Sequence, residues 1–136
     1  MKYPQNIKYT LEHEWIKILE GAFSGDYPLA LIGITDYAQN ELGELVYIEV
    51  DTLGEVVEKD DVFGTIEAVK TTSELFMPVT GKVLEFNSEL DETKGDKPGL
   101  ANEDPYGEGW IIKIEVHDME QYDSLMDTEA YQAEVE

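Results

Sequence analysis

The chain has 136 residues, of which 42% are hydrophobic, and it carries 31 acidic residues against nine basic ones for a formal net charge of −22. This length suits one compact domain over residues 1–136, and the excess of negative charge excludes nucleic acid and anionic membrane surfaces as partners, because both bind basic patches. The absence of cysteine excludes disulfides, thiolate zinc sites and a cysteine nucleophile.

Hydropathy gives no sign of a membrane span or a leader. The longest apolar stretches, such as residues 27–35, fall far short of the roughly 20 residues that cross a bilayer. Residues 1–10 are polar and lack the apolar centre of a secretory signal. We therefore expect a cytoplasmic protein whose partners offer basic docking faces, although the same acidity can serve solubility alone.

Strands dominate the predicted secondary structure. Most segments alternate apolar and polar residues or form short apolar runs bounded by Gly, Pro, Asn and Asp, which is typical of strands. The predicted strands are residues 15–19, 29–34, 45–50, 62–69, 74–79, 82–86 and 110–116. Between them, residues 20–28, 51–61 and 91–109 are predicted as loops, and the length of the last favours a functional loop.

Two helices are predicted. The first covers residues 36–42, with Thr35 as its N-cap and Gly43 as its C-terminal stop. The second covers residues 119–133, where apolar side chains recur at helical spacing after Asp118, which can cap the start. Its methionine and tyrosine stripe is expected to pack on the sheet.

The residues offer little for catalysis. His13 and His117 are the only histidines, and no serine or carboxylate arrangement marks either one as a general base. His13 lies between two glutamates, but neighbours in an extended strand point to opposite faces, so the three cannot share a metal ion. No glycine-rich phosphate loop is present. We expect neither a stand-alone enzyme nor a metal site.

Lys70 is the candidate functional residue. It lies in VFGTIEAVKTTSELFMPVTGKV, residues 62–83, between an apolar strand and the polar link of residues 71–73. This pattern predicts a hairpin with Lys70 at or near its tip. A lysine in a turn is usually an ordinary surface residue, but here apolar Val69 and small hydroxyl residues flank it in place of acids.

The segment EAVKTTSELFMPVTG, residues 67–81, resembles the attachment signature of lipoyl carrier domains. In those domains a lysine at a β-turn is acylated, and a glutamate three residues before it and a glycine eleven after it help the ligase to read the site. Glu67 and Gly81 match both positions, and Gly81 is expected in a turn with positive φ. A biotinyl domain would show a Met-Lys-Met turn instead.

Three further segments are similar to the glycine cleavage H-protein family in the family's order. They are KYTLEHEWIKI, GITDYAQNELGELVYIEV and KPGLANEDPYGEGW, at residues 8–18, 33–50 and 97–110. The resemblance implies a mainly β fold, a two-sheet sandwich or flattened barrel of the lipoyl-domain type (a barrel-sandwich hybrid), with peripheral helices that include a C-terminal one. It also implies a carrier with lipoate bound covalently to Lys70.

The resemblance further implies the partners. In this family the P protein decarboxylates glycine and loads an aminomethyl group onto the lipoyl arm, the T protein passes the one-carbon unit to tetrahydrofolate, and the L protein reoxidises the dithiol. A lipoate ligase or lipoyl transferase attaches the cofactor. The loaded arm folds into a cleft on the carrier, where Glu14 matches the residue that holds the amine and Glu74 matches a nearby acidic position.

Two alternatives remain open at the level of sequence. One is a lipoyl domain of a 2-oxoacid dehydrogenase complex, which should continue through a Pro/Ala linker, whereas this chain ends in its own predicted helix. The other is a lipoate-relay protein that donates its lipoyl group to other acceptor proteins. The sequence does not separate glycine cleavage from lipoate relay.

Overall fold

A computed structural model describes all residues, 1–136. Nine strands and four short helices follow one another along the chain. They are β1 (Lys8–Tyr9), β2 (Glu14–Ser24), β3 (Tyr27–Ile34), α1 (Asp36–Leu42), β4 (Leu45–Glu49), β5 (Val56–Val57), β6 (Val62–Ala68), β7 (Thr72–Phe76), β8 (Gly81–Phe86), α2 (Leu100–Glu103), β9 (Ile112–Val116), α3 (Met119–Asp123) and α4 (Thr128–Val135).

The strands form two antiparallel sheets, which confirms the predicted mainly β fold. The larger sheet has six strands in the order β1-β2-β3-β9-β8-β5, and the smaller one has the order β4-β6-β7. Both sheets contribute to one cluster of 20 buried apolar residues, which includes Ile16, Ile32 and Ile112 from the larger sheet and Ile48 and Ile66 from the smaller. Burial of this shared apolar surface holds the sheets together.

A second, smaller cluster ties the two ends of the chain to the larger sheet. Ile7, Tyr9 and Trp15 pack there with Tyr131 of α4. The rings of Tyr9 and Tyr131 are stacked with their centroids 4.5 Å apart. The C-terminal helix is therefore part of the packed structure and lies beside the start of β2.

The predicted helix over residues 36–42 is confirmed with both of its ends. The Thr35 side chain accepts a hydrogen bond from the Ala38 backbone N–H, and Gly43 ends the helix at φ 78°. Such caps satisfy backbone groups that have no partner inside the helix. None of the four helices is long and apolar enough to cross a membrane.

The prediction of a loop over residues 20–28 is wrong, because these residues form a β-hairpin. β2 runs on to Ser24, which pairs with Tyr27 of β3 after a shift in register. Gly25, at φ 59°, lies in the tight turn between them. A glycine at positive φ thus supplies the turn of this hairpin.

The predicted single helix over residues 119–133 is also wrong, since α3 and α4 are separate. Between them Met126 forms an antiparallel bridge with Tyr9 through two backbone hydrogen bonds of 2.9 and 3.1 Å. Asp127 then caps α4 by accepting from the Ala130 N–H at 2.9 Å. Pairing with the edge of the larger sheet thus interrupts the helical pattern.

Candidate functional site

Lys70 lies in the short turn between β6 and β7. The turn is closed by the Ala68 N–H, which donates to the Thr71 carbonyl oxygen at 2.7 Å, and the Val69 N–H donates to the Glu44 carbonyl oxygen at 3.0 Å. Lys70 is exposed, and so is Val69, at 70%. The structure thus agrees with the predicted hairpin and presents the lysine amine on a turn held by the backbone.

The Lys70 side chain runs toward the end of α1. A Cβ atom added at Gly43 would lie 3.4 Å from the Cε of Lys70. Leu42, the residue before Gly43, lines a cleft between α1, the start of β2 and β7. The base of any arm on Lys70 therefore begins beside one wall of this cleft.

This cleft, named here the Glu14 cleft, has a volume of about 260 Å³. Its polar lining includes Glu12, His13, Glu14, Tyr37, Ser73 and Glu74, and its apolar lining includes Ile34, Leu42, Ile66 and Leu75. The structure therefore brings together Glu14 and Glu74, the two acids predicted from sequence. A flexible apolar chain with a cationic end fits this combination of surfaces.

Glu14 is almost wholly buried, with 2% of its surface exposed. One carboxyl oxygen accepts a hydrogen bond from the Thr10 hydroxyl at 2.8 Å, and the other accepts from the Phe76 backbone N–H at 3.1 Å. Burial raises the pKa of Glu14 from its ordinary 4.5 to about 8, although these two hydrogen bonds oppose the rise. Without a cation beside it, Glu14 is largely protonated at neutral pH.

The backbone bends just before Glu14. His13 has a positive φ of 70°, so Glu12 and Glu14 do not follow the alternation of a regular strand. Glu12 nevertheless lies on the rim of the cleft and is exposed, whereas Glu14 is buried. The two acids therefore line the same cleft and differ in burial.

Glu67 and Gly81, the two other residues singled out in the sequence, lie in different sheets. Glu67 is exposed on β6 and pairs with Thr72, immediately outside the Lys70 turn. Gly81 is buried at the start of β8. The expected positive φ of Gly81 is wrong, because its φ lies outside that range; a Cβ there would instead collide with the backbone oxygen of Glu115.

Sequence reasoning missed several residues of the cleft. Tyr37 and His13 line it, with ring centroids 4.7 Å apart, and the Thr10 hydroxyl bonds to Glu14. The sequence alone excludes His13 from a metal site and gives it no role. No local pattern marks these residues, since their positions depend on contacts between distant segments.

Nearly the whole chain is similar to proteins of one family. A family model described as Glycine cleavage H-protein matches residues 7–136. The chain is 50% identical over 135 residues to the glycine cleavage system H protein of Bacteroides thetaiotaomicron, covering 99% of this chain and 98% of that protein. It is 46% identical over 131 residues to the corresponding protein of Pelodictyon phaeoclathratiforme, covering 96% and 95%.

A solved structure is similar as well. The crystal structure of a glycine cleavage system H protein from Mycobacterium marinum superposes with a TM-score of 0.82 at 31% sequence identity, and the match covers 97% of this chain and 98% of that one.

Proposed function

Because this chain belongs to the glycine cleavage H-protein family, we propose that Lys70 is the residue that carries its lipoyl group. Members of the family are lipoyl carriers of the glycine cleavage system, and that is the function of this chain. The single observation that supports Lys70 is its position, exposed on a closed turn beside the wall of the Glu14 cleft.

The residues present fit a lipoyl arm. When bound, the group supplies the dithiol and disulfide chemistry that this cysteine-free chain lacks. Lys70 gives the arm a fixed pivot, and the apolar side chains of the cleft, Ile66 and Leu75 among them, can shield it from water. A tether of this kind raises the local concentration of cargo at each partner.

Glu14 is proposed to hold the cationic end of the loaded arm. A protonated amine in a partly dry pocket needs an anionic partner, and Glu14 is the most buried acid of the cleft. Cation binding favours ionised Glu14, so loading near neutral pH should release a proton. Glu74, exposed on the same cleft, is proposed as a weaker second contact.

Glu67 and Gly81 are proposed to support attachment in different ways. Glu67 is exposed beside the turn and can contact a lipoate ligase or lipoyl transferase directly. Gly81 is buried in the other sheet, so its contribution is to let β8 and β9 approach closely. A substitution at Gly81 therefore acts on attachment through the fold.

The partners follow from the family. The name glycine cleavage system H protein implies interaction with the P, T and L proteins, between which the carrier passes the aminomethyl group and then the dithiol. We also propose that the chain itself is not an enzyme, that residues 1–136 form one carrier domain, and that it acts in the cytoplasm. No separate nucleic-acid or membrane partner is proposed for so acidic a chain.

Lipoylation of purified apo-carrier by a lipoate ligase tests the proposed site. Intact mass should rise by one lipoyl group, and peptide mapping should place it on Lys70. Lys70→Arg should stay unmodified, because arginine keeps the charge but does not accept the acyl group. Lys82→Arg, in β8, is the matched control and should be modified as fast as the parent. Modification of Lys70→Arg, or a label on Lys82, would overturn the assignment.

A further inference from the structure

His13 holds an unusual conformation in the wall of the Glu14 cleft. Its φ of 70° puts a bulky side chain in the left-handed region, which costs free energy and persists only where surrounding contacts enforce it. The ring packs against Tyr37 of α1 and against Tyr131 of α4, with centroids 4.7 and 5.9 Å away. His13 is therefore fixed from two sides.

Two consecutive hydrogen bonds join the side chains of Thr35, Tyr131 and His13. The Tyr131 hydroxyl lies 2.9 Å from Nδ1 of His13 and 2.8 Å from the hydroxyl oxygen of Thr35. Thr35 already accepts a hydrogen bond from the Ala38 N–H at 3.1 Å as the N-cap of α1. Tyr131 and Thr35 are both completely buried, so neither hydroxyl has water as an alternative partner.

The available hydroxyl hydrogens determine which group donates in each of these two hydrogen bonds. The buried hydroxyl hydrogen of Thr35 has only the Tyr131 oxygen within reach, and leaving it unbonded would be costly. Thr35 therefore donates to Tyr131, and the Tyr131 hydroxyl hydrogen is directed to Nδ1 of His13. Nδ1 is an acceptor, so neutral His13 carries its proton on Nε2.

Nε2 is the polar atom of His13 that remains available. It makes no hydrogen bond within the protein, yet no buried side-chain nitrogen or oxygen is left without a partner. Nε2 is therefore accessible, and His13 is one of the residues that line the Glu14 cleft.

From this geometry we infer that Tyr131 is a positioning residue that fixes His13 as the Nε2-protonated tautomer and so keeps an uncharged hydrogen-bond donor in the wall of the Glu14 cleft. The C-terminal helix thereby contributes to a cleft that it does not line. An uncharged imidazole suits a cleft for a cation, because an imidazolium would repel the amine. This last step alone depends on the proposed function.

The groups around His13 both lower and raise its pKa. Burial keeps the pKa of His13 below its ordinary 6.5, while the negative charges of Glu12, Glu41 and Glu134 oppose this. A hydrogen bond donated to Nδ1 favours the neutral ring further, since protonation there would break it. The titratable groups around the ring are Glu12 and Glu14 beside it in the chain, Tyr37 and Glu41 of α1, Glu74 across the cleft, and Tyr131 and Glu134 of α4.

Long-range ¹H–¹⁵N NMR of the full chain tests the inference without the cofactor. With His117→Gln to assign the two histidines, parent His13 should show a protonated Nε2 and an unprotonated Nδ1 above its pKa. Tyr131→Phe should give mixed tautomers and a higher His13 pKa. Tyr9→Phe is the matched control, since Tyr9 stacks on Tyr131 and donates only to the Pro4 carbonyl oxygen; it should keep the parental tautomer and pKa.

Two results would overturn the inference: parent His13 protonated at Nδ1, or a folded Tyr131→Phe with the parental tautomer and pKa. The first needs no variant at the tyrosine, so the test stands even if Tyr131→Phe does not fold.

A second measurement follows the pH dependence of loaded-carrier lifetime, where Tyr131→Phe should lose protection at higher pH than Tyr9→Phe. Failure of Lys70 to accept lipoate would instead overturn the proposed function and leave the tautomer result unaffected.

Discussion

Replacing Glu14 by glutamine should change how the stability of the apo-carrier depends on pH. Burial raises the pKa of Glu14 from 4.5 to about 8 in the folded chain. Folding therefore favours the protonated acid, and the free energy of unfolding falls as pH rises from about 4.5 through 8. Glutamine resembles the protonated acid, so Glu14→Gln lacks this loss.

The magnitude follows from the size of the shift. Each pH unit between the two pKa values corresponds to about 1.4 kcal/mol, so the rise to about 8 amounts to about 5 kcal/mol. The total stability of a small domain is about 5–15 kcal/mol, which makes this one carboxyl group a major contributor to its pH dependence.

Urea unfolding of parent and Glu14→Gln from pH 4 to 9 measures the effect. The variant should gain up to about 5 kcal/mol relative to the parent across this range, while repulsion among the many other acids cancels in the difference. Glu74→Gln, which removes an exposed acid of the same cleft, controls for the loss of one charge. Parallel pH profiles for parent and Glu14→Gln would refute the reasoning.

Four further variants test separate parts of the structure. Glu14→Ala should shorten the lifetime of the loaded carrier, measured without T protein, by on the order of tenfold, which corresponds to about 1.4 kcal/mol. Glu12→Ala should shorten it less, because the Glu12 side chain is exposed. Equal lifetimes for Glu14→Ala and the parent would contradict the proposal that Glu14 holds the amine. Gly81→Ala should lower the free energy of unfolding by about 1–3 kcal/mol, because its Cβ meets the Glu115 backbone. An unchanged urea midpoint would contradict this. Glu67→Ala should keep the parental melting temperature yet accept lipoate more slowly; a parental rate would remove its role in attachment.

Local signals in the sequence predicted the elements that depend on neighbours along the chain. The N-cap Thr35 and the stop at Gly43 gave α1 its correct ends, and alternation found most strands within a few residues. The prediction failed where distant pairing decides the structure. Met126 follows a helical pattern but pairs with Tyr9, and residues 20–24 continue β2 only because β3 lies beside them.

The residues of the candidate site likewise differ in whether the sequence could predict them. Lys70 and Glu67 could be found from a contiguous motif, and the structure places them on one hairpin. Gly81 belongs to the same motif, but its need for glycine comes from the backbone of β9. The burial of Glu14 and the hydrogen bonds from Thr35 through Tyr131 to His13 depend on contacts between distant segments. The contact between His13 and Tyr131 joins residues 118 positions apart, and no sequence motif predicts such a contact.

The hydrogen bond between Glu14 and the Phe76 N–H has a consequence for the order in which the protein acquires its properties. It joins residues 62 positions apart, so the cleft exists only after the slow, long-range steps of folding are complete. The Lys70 turn closes within a single hairpin, which forms much earlier. Folding should therefore complete the Lys70 turn before the Glu14 cleft, so only the fully folded carrier can protect its cargo.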